Sequence, residues 1–448
     1  MIIKICMGIK EKVTFKMLLI CTALFAVMYA LMRHGASHLL RLSEPIGILD
    51  LHFGYGMDTV KQLMEDLGEA GRSYYKDTFY LYDTFYPIAY MLFYTLSLAY
   101  MLKKLEIKKA ILHLVIVLPV LGMIFDWLEN LSIRQILLDY PEISKALLSL
   151  SNTATIMKFL LAYTSAAFLI VSLILYPFIN KINKVKKMHI QYPFNKEIPV
   201  SVHTNLVYKK TRKKSLTMDI YLPKDIDKPL PVIFLVHGEG LEFFVRDAKN
   251  WTFYEDYGHL LASRGYAAVM FNHRSVFAKW DKVKEASEDV QEAIRYVTAN
   301  HTAYHIDTGR MCVWTFSMGG IYTGPLLNRD SFPLSCFVSY YGLLDMGEVL
   351  KSKPYQEYYK LFTAANYLKT AKQIPVLIID AKNDKVKGIR KAIKKFTDAA
   401  DSLHFPYQYL LHQTGRHAFD GLDDNEETVE VIDKTLDFIK QHLIDQNG

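Results

Sequence analysis

Cysteine is scarce in this sequence, with four residues in a chain of 448. They have no paired spacing, which argues against a disulfide framework and against a zinc site. Internal repeats and low-complexity tracts are also absent, and the length is that of two or three ordinary domains. Two of the cysteines fall in or near the first apolar segment and two in predicted buried strands: Cys6, Cys21, Cys312 and Cys336.

A strong charge of one sign is missing as well. The formal net charge is +7, and most of the lysines stand beside apolar segments. This placement is typical of membrane topology rather than of nucleic-acid binding, so we expect no nucleic-acid partner. Hydrophobic residues make up 51% of the chain, which is high for a purely soluble protein. The excess lies before about residue 180, and the remainder has the balance of a globular domain.

Four apolar segments are near the length of about 20 residues that crosses a hydrocarbon core as a helix. The first is preceded by lysines, but no small-x-small cleavage site follows it before Arg33, which favours an anchor over a signal peptide. We therefore predict an all-α transmembrane four-helix domain over residues 1–180. The predicted spans are residues 17–32, 81–102, 110–127 and 159–178.

The lysines predict the orientation of these spans. They cluster before span one, between spans two and three, and after span four. The positive-inside rule then places both termini in the cytoplasm. We expect a multi-pass protein of the cell membrane, in contact with membrane lipids, whose second domain is cytoplasmic.

This topology gathers Asp83, Asp126 and Glu129 near the outer ends of the spans. Residues 58–68 have apolar side chains at helical spacing, which suits a short helix on the outer surface. Two interpretations of the acidic residues are open. They lie among lipid headgroups and pair with other charges, or they form a small polar site between helix ends for a lipid headgroup or a small solute.

Residues 181–199 are polar, basic and aromatic, and we interpret them as a juxtamembrane linker. The linker either rests on anionic headgroups or is a solvated tether. From residue 200 onward, apolar strand segments alternate with amphipathic helices, which predicts a mostly parallel sheet covered on both faces. Residues 216–222 alternate in the manner of an edge strand. The other predicted strands are 231–236, 267–271, 311–316, 334–341, 375–379 and 407–411.

Met311 to Gly320 form a short apolar strand that stops at Ser317 and turns into a helix. This is the layout of a nucleophile elbow, in which a sharp turn lifts a serine oxygen out of the sheet. Close packing of strand and helix requires a small residue two positions after the serine, and Gly319 supplies it. The usual first glycine is replaced by the bulkier Thr315, which we expect to tighten the turn.

Three further features fall at strand ends, where an acyl-transfer site needs them. Backbone N–H groups of Gly238 and Glu239, with that of Met318, are candidate donors to an oxyanion. Asp384 follows one strand and His417 lies in a loop after the last strand, so the order is serine, acid, histidine. Asp380 and Asp345 remain alternatives for the acid, and His412 for the base. His237 is better suited to support the oxyanion loop than to act as a base.

Residues 200–448 resemble the α/β-hydrolase superfamily, most of all its esterase, dienelactone-hydrolase and prolyl-oligopeptidase-like members. Met218 to Pro223 resemble the opening strand, His237 to Gly240 the His-Gly-Gly-Gly oxyanion segment, and Ile306 to Gly320 the approach to the elbow. The resemblance implies an α/β class, a doubly wound sheet and a serine mechanism. In it His417 takes the proton of Ser317, Asp384 orients the imidazole, and no metal or organic cofactor takes part.

Glu239 departs from the resembled pattern, because it brings a charge beside the oxyanion donors. We expect this charge to lower activity or to select a cationic group. Residues 343–373 lie between two strands and are interpreted as a cap. The aromatic side chains of this cap suit an apolar acyl or aryl group, but they are also what a packed helical cap contains: Tyr355, Tyr358, Tyr359, Phe362 and Tyr367.

The leading functional hypothesis is a membrane-anchored serine hydrolase, a carboxylesterase or lipase acting on a small apolar ester through an acyl-enzyme. A serine peptidase of the prolyl-oligopeptidase kind is a second hypothesis, weakened because no large propeller domain precedes the hydrolase-like part. A third is a non-catalytic receptor, in which the hydrolase-like domain binds a ligand and signals to or from the four spans.

Overall fold

The computed structural model describes residues 1–43, 47–212, 214–277, 279–328, 332–348, 356–371 and 373–445. Tyr355 of the predicted cap lies outside these residues. The chain divides into two compact units, Met1–Lys181 and Ile182–Gly448. Each is described by itself.

The first unit is helical. A 3₁₀ segment, Ala110–Val117, leads into the fifth helix, and five residues in π conformation, Tyr75–Phe79, join the third and fourth. The second helix begins where Thr14 caps it, since the Thr14 hydroxyl accepts a hydrogen bond from the Met17 amide. The helices are α1 Ile2–Lys12, α2 Phe15–Leu42, α3 Met57–Tyr74, α4 Tyr80–Lys104, α5 Leu118–Asp139 and α6 Lys145–Lys186.

Four helical stretches are long and apolar enough to cross a membrane: Phe15–Leu42, Met57–Lys104, Ala110–Asp139 and Lys145–Lys186. Each predicted span lies inside one of them. The stretches are longer than the predicted spans because helical periodicity continues past the apolar core into polar residues, where hydropathy alone gives no boundary.

Helix α3 corrects one expectation. Residues 58–68 are helical as predicted, but their apolar face does not lie on the outer surface. It is buried in a protein core that also contains Leu39, Phe79 and Ile136. The helix therefore packs inside the first unit through its apolar side chains Val60, Leu63, Met64 and Leu67.

The second unit is built on one eight-stranded sheet with the order β1-β2-β4-β3-β5-β6-β7-β8. The pairs β1–β2 and β2–β4 are antiparallel, and all other pairs are parallel. The strands are β1 Val200–Lys210, β2 Ser215–Pro223, β3 Leu230–Val236, β4 Ala267–Phe271, β5 Ile306–Phe316, β6 Leu334–Tyr340, β7 Val376–Ala381 and β8 Tyr407–His412.

The helices of the second unit connect these strands and cover the sheet. Every residue of β3 and β4 is buried, which explains their continuous apolar sequences. The helices are α7 Glu242–Val245, α8 Thr252–Ser263, α9 Val283–Ala299, α10 Thr323–Leu327, α11 Gln356–Leu361, α12 Ile389–Ser402, α13 Phe419–Leu422 and α14 Glu426–Leu443.

The predicted fold class is confirmed: a helical region precedes a mostly parallel, doubly wound sheet of the α/β-hydrolase type. The prediction that residues 216–222 form an edge strand is wrong. This segment is β2, and it lies between β1 and β4. The true edge is β1, a largely exposed strand whose polar sequence carries little apolar alternation.

The segment after α6 is part of the second unit and packs within it. Ile190 and Tyr192 are buried there. The amide of Gln191 donates to the carbonyl oxygen of Asp420 at 2.7 Å, and the Tyr192 hydroxyl donates to Asp433 at 2.6 Å. These contacts hold residues 190–192 in the protein, whereas residues 195–199 are exposed, as in the solvated tether considered for the linker.

Candidate active site

Ser317 stands at the sharp turn where β5 ends. A 3₁₀ turn, Ser317–Tyr322, follows the strand directly and leads into α10. The φ angle of Ser317 is +53°, in the left-handed region that a residue with a side chain adopts at a cost of about 1–3 kcal/mol. A strained serine between a buried strand and a helix is the geometry of a nucleophile elbow.

Gly319 lets this turn lie against β3. A Cβ atom on Gly319 would stand 2.8 Å from the carbonyl oxygens of both Val236 and His237, closer than van der Waals contact allows. Thr315, which replaces the usual first glycine, is fully buried in β5 and donates a long hydrogen bond, 3.5 Å, to the carbonyl of Val338. The elbow therefore forms with threonine at this position.

Ser317, His417 and Asp384 form one hydrogen-bonded chain. Ser317 Oγ lies 2.8 Å from His417 Nε2, and His417 Nδ1 donates to Asp384 Oδ2 at 2.7 Å. The Asp384 side chain is fully buried, whereas that of His417 is 24% exposed, so the histidine is accessible from solvent. The second oxygen of Asp384 accepts a hydrogen bond from the Val386 amide at 2.7 Å, which fixes the carboxylate.

The alternative acids are held elsewhere. Asp380 accepts hydrogen bonds from Arg390, at 3.2 Å, and from Tyr409, at 2.9 Å. Asp345 accepts one from the Gly347 amide at 2.7 Å and pairs with a lysine of α12 at 3.2 Å. Neither carboxylate takes the place of Asp384 beside the histidine.

The alternative base, His412, is fully buried at the end of β8. Its Nε2 lies 2.9 Å from the hydroxyl of Thr428, and its Nδ1 lies 2.9 Å from Glu427. These contacts tie β8 to α14. Of the histidines considered as the base, the structure thus brings His417 to the serine.

A buried acid behind His417 was not singled out in the sequence. Asp420 accepts hydrogen bonds from the hydroxyls of Tyr341 and Tyr257, both at 2.7 Å. Burial raises the pKa of Asp420 to about 6, although the two tyrosine hydrogen bonds act in the opposite direction. The ring of Tyr341 also lies 4.8 Å from that of His417. The sequence clue to Asp420 was its position three residues after His417.

The oxyanion segment lies beside the serine. A Cβ atom on Gly238 would stand 3.1 Å from Ser317 Cβ and 3.5 Å from its Oγ, so this backbone passes in contact with the nucleophile. His237 stacks on His273 with ring centroids 3.8 Å apart, and its Nδ1 donates to the Gly238 carbonyl at 2.7 Å. Burial, with the adjacent His273, lowers the pKa of His237. A neutral His237 that supports this loop matches the structural role considered for it.

Glu239 corrects a further expectation. Its side chain is fully buried. One carboxylate oxygen accepts a hydrogen bond from the Tyr322 hydroxyl at 2.6 Å, and the other accepts from the Val276 amide at 2.9 Å. The expected selection of a cationic group by this charge is therefore wrong, because the charge is bound inside the protein. The backbone of Glu239 remains part of the candidate oxyanion segment, and Met318 lies in the 3₁₀ turn of the elbow.

The cap residues that the structure describes pack inward. Phe362 is buried, and the rings of Tyr359 and Tyr367 cover Gly347 and Gly324. These contacts agree with the interpretation of a packed helical cap.

The acidic residues of the first unit form a separate cluster. Asp83, Asp126 and Glu129 are buried among helices, which disagrees with a position among headgroups. Glu129 forms an ion pair with Lys158 of α6, and Asp126 lies 3.8 Å from the same ammonium group. Lys158 was missed in the sequence, because it directly precedes the predicted span 159–178 and resembles the other lysines that flank the spans.

A comparison with protein-family models gives a match inside the second unit. The family model described as BD-FAE matches residues 218–323, which run from β2 through the elbow. No curated protein shows a significant match.

Several solved structures are similar to part of the chain. An inhibited esterase B from Lactobacillus rhamnosis is 15% identical, with a TM-score of 0.46 over 56% of this chain and 90% of its own. A truncated carbohydrate esterase from gut microbiota is 21% identical, with a TM-score of 0.45 over 56% of this chain and 99% of its own. A putative dipeptidyl aminopeptidase IV from Bacteroides ovatus is 19% identical, with a TM-score of 0.44 over 55% of this chain and 36% of its own.

Proposed function

We propose that this α/β-hydrolase domain is a serine hydrolase that cleaves a small apolar ester, and that the helical unit anchors it in a membrane. The observation that carries the proposal is the chain from Ser317 through His417 to Asp384, with contacts of 2.8 and 2.7 Å, at a strained strand-to-helix turn. Such a chain activates a hydroxyl that is otherwise a weak nucleophile.

The reaction follows from the order of these contacts. His417 Nε2 takes the proton of Ser317 as its oxygen attacks the acyl carbon, and the Asp384 carboxylate stabilises the resulting imidazolium. The backbone N–H groups of Met318 and of Gly238 or Glu239 bind the oxyanion, each donor being worth about 3 kcal/mol in the transition state. His417 then protonates the departing alcohol. Water, activated by the same histidine, hydrolyses the acyl-enzyme, and no cofactor enters any step.

An apolar rim supports the choice of an apolar substrate. In a parallel sheet, ligands bind outside the carboxyl ends of the strands, which is the edge that carries Ser317. Loops that follow β3, β4, β7 and β8 at this edge expose apolar side chains to solvent. They are Leu241, Phe243, Phe277, Val386 and Leu422.

The orientation in the membrane is part of the proposal. Four helices suited to crossing a membrane, with lysines flanking their ends, support cytoplasmic termini and a cytoplasmic hydrolase domain in contact with lipids. A C-terminal fusion to a reporter that is fluorescent only in the cytoplasm tests this. Fluorescence in intact cells is expected, and activity of a reporter that works only outside the cytoplasm contradicts it.

Ester turnover tests the reaction. Membranes containing the full chain are assayed with p-nitrophenyl butyrate and p-nitrophenyl laurate, and with aminoacyl p-nitroanilides as amide substrates. We expect ester hydrolysis that falls at least 10³-fold in Ser317→Ala and is unchanged in the matched Ser335→Ala, whose hydroxyl bonds to the Gly309 carbonyl. Faster amide than ester cleavage indicates a peptidase. Absence of turnover in folded protein contradicts the proposal and favours the receptor hypothesis.

The apolar rim has its own test. Replacing Phe243 and Phe277 by serine is expected to lower turnover of the laurate ester more than that of the butyrate ester, because only the longer chain reaches the rim. Val207→Ser, at a similarly exposed position on β1, is the matched control. Equal losses for both esters contradict a role for the rim.

A further inference from the structure

The first unit contains a cavity of about 380 Å³ that the hydrolase reaction does not use. Its walls are contributed by α2, α4, α5 and α6 and by the short segment before α3. Seven of its twenty lining residues are aromatic, and part of the wall is open, since Tyr163 is 62% exposed. The aromatic lining residues are Phe25, Tyr29, Tyr86, Tyr90, Tyr94, Phe159 and Tyr163.

The polar end of this cavity is acidic. Asp50, Asp83 and Asp126 line it together with Lys158. Glu129, fully buried, pairs with the same lysine. Among the described residues of this cluster, four buried carboxylates therefore stand against a single buried ammonium group, that of Lys158. An excess of buried negative charge is costly unless cations or protons compensate it.

Two carboxylate oxygens at the cavity lack a donor. Asp50 is 5% exposed, and one of its oxygens accepts a hydrogen bond from Tyr75, whereas Oδ1 has no hydrogen-bond partner among the described residues. Asp126 is 4% exposed; its Oδ2 accepts from the Tyr90 hydroxyl at 2.9 Å, and its Oδ1 has only the Lys158 ammonium, at 3.8 Å. Buried acceptors are normally satisfied, so these two oxygens point to a missing donor.

A compact cation rich in N–H groups would supply both the missing hydrogen bonds and the missing positive charge. A primary ammonium group brings one positive charge and three donors, enough for Asp50 and Asp126 together. The tyrosine faces around the cavity attract the same charge. A quaternary ammonium group would leave both carboxylate oxygens without a hydrogen bond. An anion would be repelled by the carboxylates at the acidic end.

We propose that this cavity binds a primary ammonium group carried on an apolar or lipid body. The site is independent of the hydrolase reaction. Two sources supply this chemistry: the headgroup of an aminophospholipid, or a soluble hydrophobic amine. Arg33, exposed at the edge of the cavity, is placed to meet the phosphate of a headgroup.

Binding to the full chain tests the site. The protein is placed in nanodiscs of phosphatidylcholine, which has no primary amine, and is titrated with phosphatidylethanolamine, phosphatidylglycerol or phenethylamine. Native mass spectrometry counts bound lipid, and calorimetry measures the soluble amine. We expect retention of phosphatidylethanolamine or binding of phenethylamine, and affinity about tenfold lower in Asp50→Asn. Asp58→Asn, on the exposed face of α3, is expected to bind as the wild type does.

A second variant keeps the test decisive if Asp50→Asn fails to fold. Ala162→Phe fills the cavity without removing a charge, and Leu160→Phe, which is exposed on the same helix, is its control. Loss of binding in Ala162→Phe alone supports the site.

The outcomes separate the sources. Selective phosphatidylethanolamine binding identifies the lipid, and phenethylamine binding identifies the soluble amine. Equal retention of phosphatidylglycerol, equal affinity in the cavity variants, or binding of neither probe to folded wild-type protein overturns the proposal.

Discussion

The hydroxyl of Tyr341 donates a 2.7 Å hydrogen bond to Asp420, three residues beyond the histidine whose ring Tyr341 also contacts. Asp420 is fully buried, and its backbone carbonyl accepts the Gln191 amide from the segment that follows α6. Asp420 thus joins the support of His417, through its carboxylate, to the start of the second unit, through its backbone carbonyl. Its environment leads to a prediction about pH.

Asp420 makes the second unit less stable as the pH rises. Burial raises its pKa from 3.8 to about 6 in the folded protein. Protonation therefore favours folding, and the stabilisation is fully present below pH 3.8 and lost as the pH rises through 6. This difference in pKa corresponds to about 3 kcal/mol. We expect Asp420→Asn to remove this fall in unfolding free energy between pH 4.5 and pH 7.

Urea unfolding in detergent measures this effect. A Trp127→Phe background leaves Trp251, Trp280 and Trp314, all in the second unit, as fluorescent reporters. The exposed Asp424→Asn is the matched control. The same pH dependence in Asp420→Asn as in the parent would show that Asp420 is not the titrating group.

Asp384→Asn is expected to lower kcat by about 10³ to 10⁴ with little change in KM. The asparagine keeps the shape of the side chain but no longer stabilises the imidazolium or the required tautomer of His417. Asp380→Asn is the control, because that residue bonds to Arg390 and Tyr409 instead. Steady-state ester kinetics distinguish the two. Similar losses in both variants would mean that the acid has been assigned to the wrong residue.

Gly319→Ala is expected to disrupt the elbow. Its Cβ would lie 2.8 Å from two backbone oxygens at the end of β3, so the turn and the strand have to separate. We expect ester turnover to fall more than tenfold and the thermal midpoint to drop. Gly309→Ala, where the nearest atom belongs to the Asp307 side chain at 3.2 Å, is expected to be mild. Full activity in Gly319→Ala would contradict the tight packing described for the elbow.

Glu239 is expected to act on stability and not on substrate charge. Glu239→Ala removes the acceptor for the Tyr322 hydroxyl and the Val276 amide, at a cost of about 1–3 kcal/mol for each buried donor. Glu239→Gln is expected to keep the ratio of kcat/KM for cationic and neutral esters within about twofold. Competition assays with matched esters measure that ratio. A clear shift toward neutral esters in Glu239→Gln would show that the Glu239 charge does act on the substrate.

Much of the second unit is predictable because its buried strands are continuous apolar segments bounded by polar loops. The helices between them are predictable as amphipathic segments, and α14, Glu426–Leu443, buries apolar side chains such as Val431, Leu436 and Ile439. Ser317, Asp384 and His417 were found because each follows a strand, and the carboxyl ends of parallel strands meet at one edge.

Other features depend on packing that sequence periodicity does not contain. Strand β1 is largely exposed, and only a few of its apolar residues, among them Val200, Val202 and Leu206, pack on the core, so its pattern is weak. The direction of the Glu239 side chain depends on Tyr322, far along the chain. The acidic cluster of the first unit could not be predicted as a whole. Asp50 and Lys158 belong to it, and which residues line one cavity depends on how the helices pack.

The central claim is that Ser317 is an activated nucleophile. The most direct measurement is labelling of the full chain in membranes with a fluorophosphonate probe, followed by mass spectrometry of the modified peptide. We predict one adduct on Ser317, abolished in Ser317→Ala and strongly slowed in Asp384→Asn. Absence of labelling in folded wild-type protein, or an adduct on a different residue, would contradict the account.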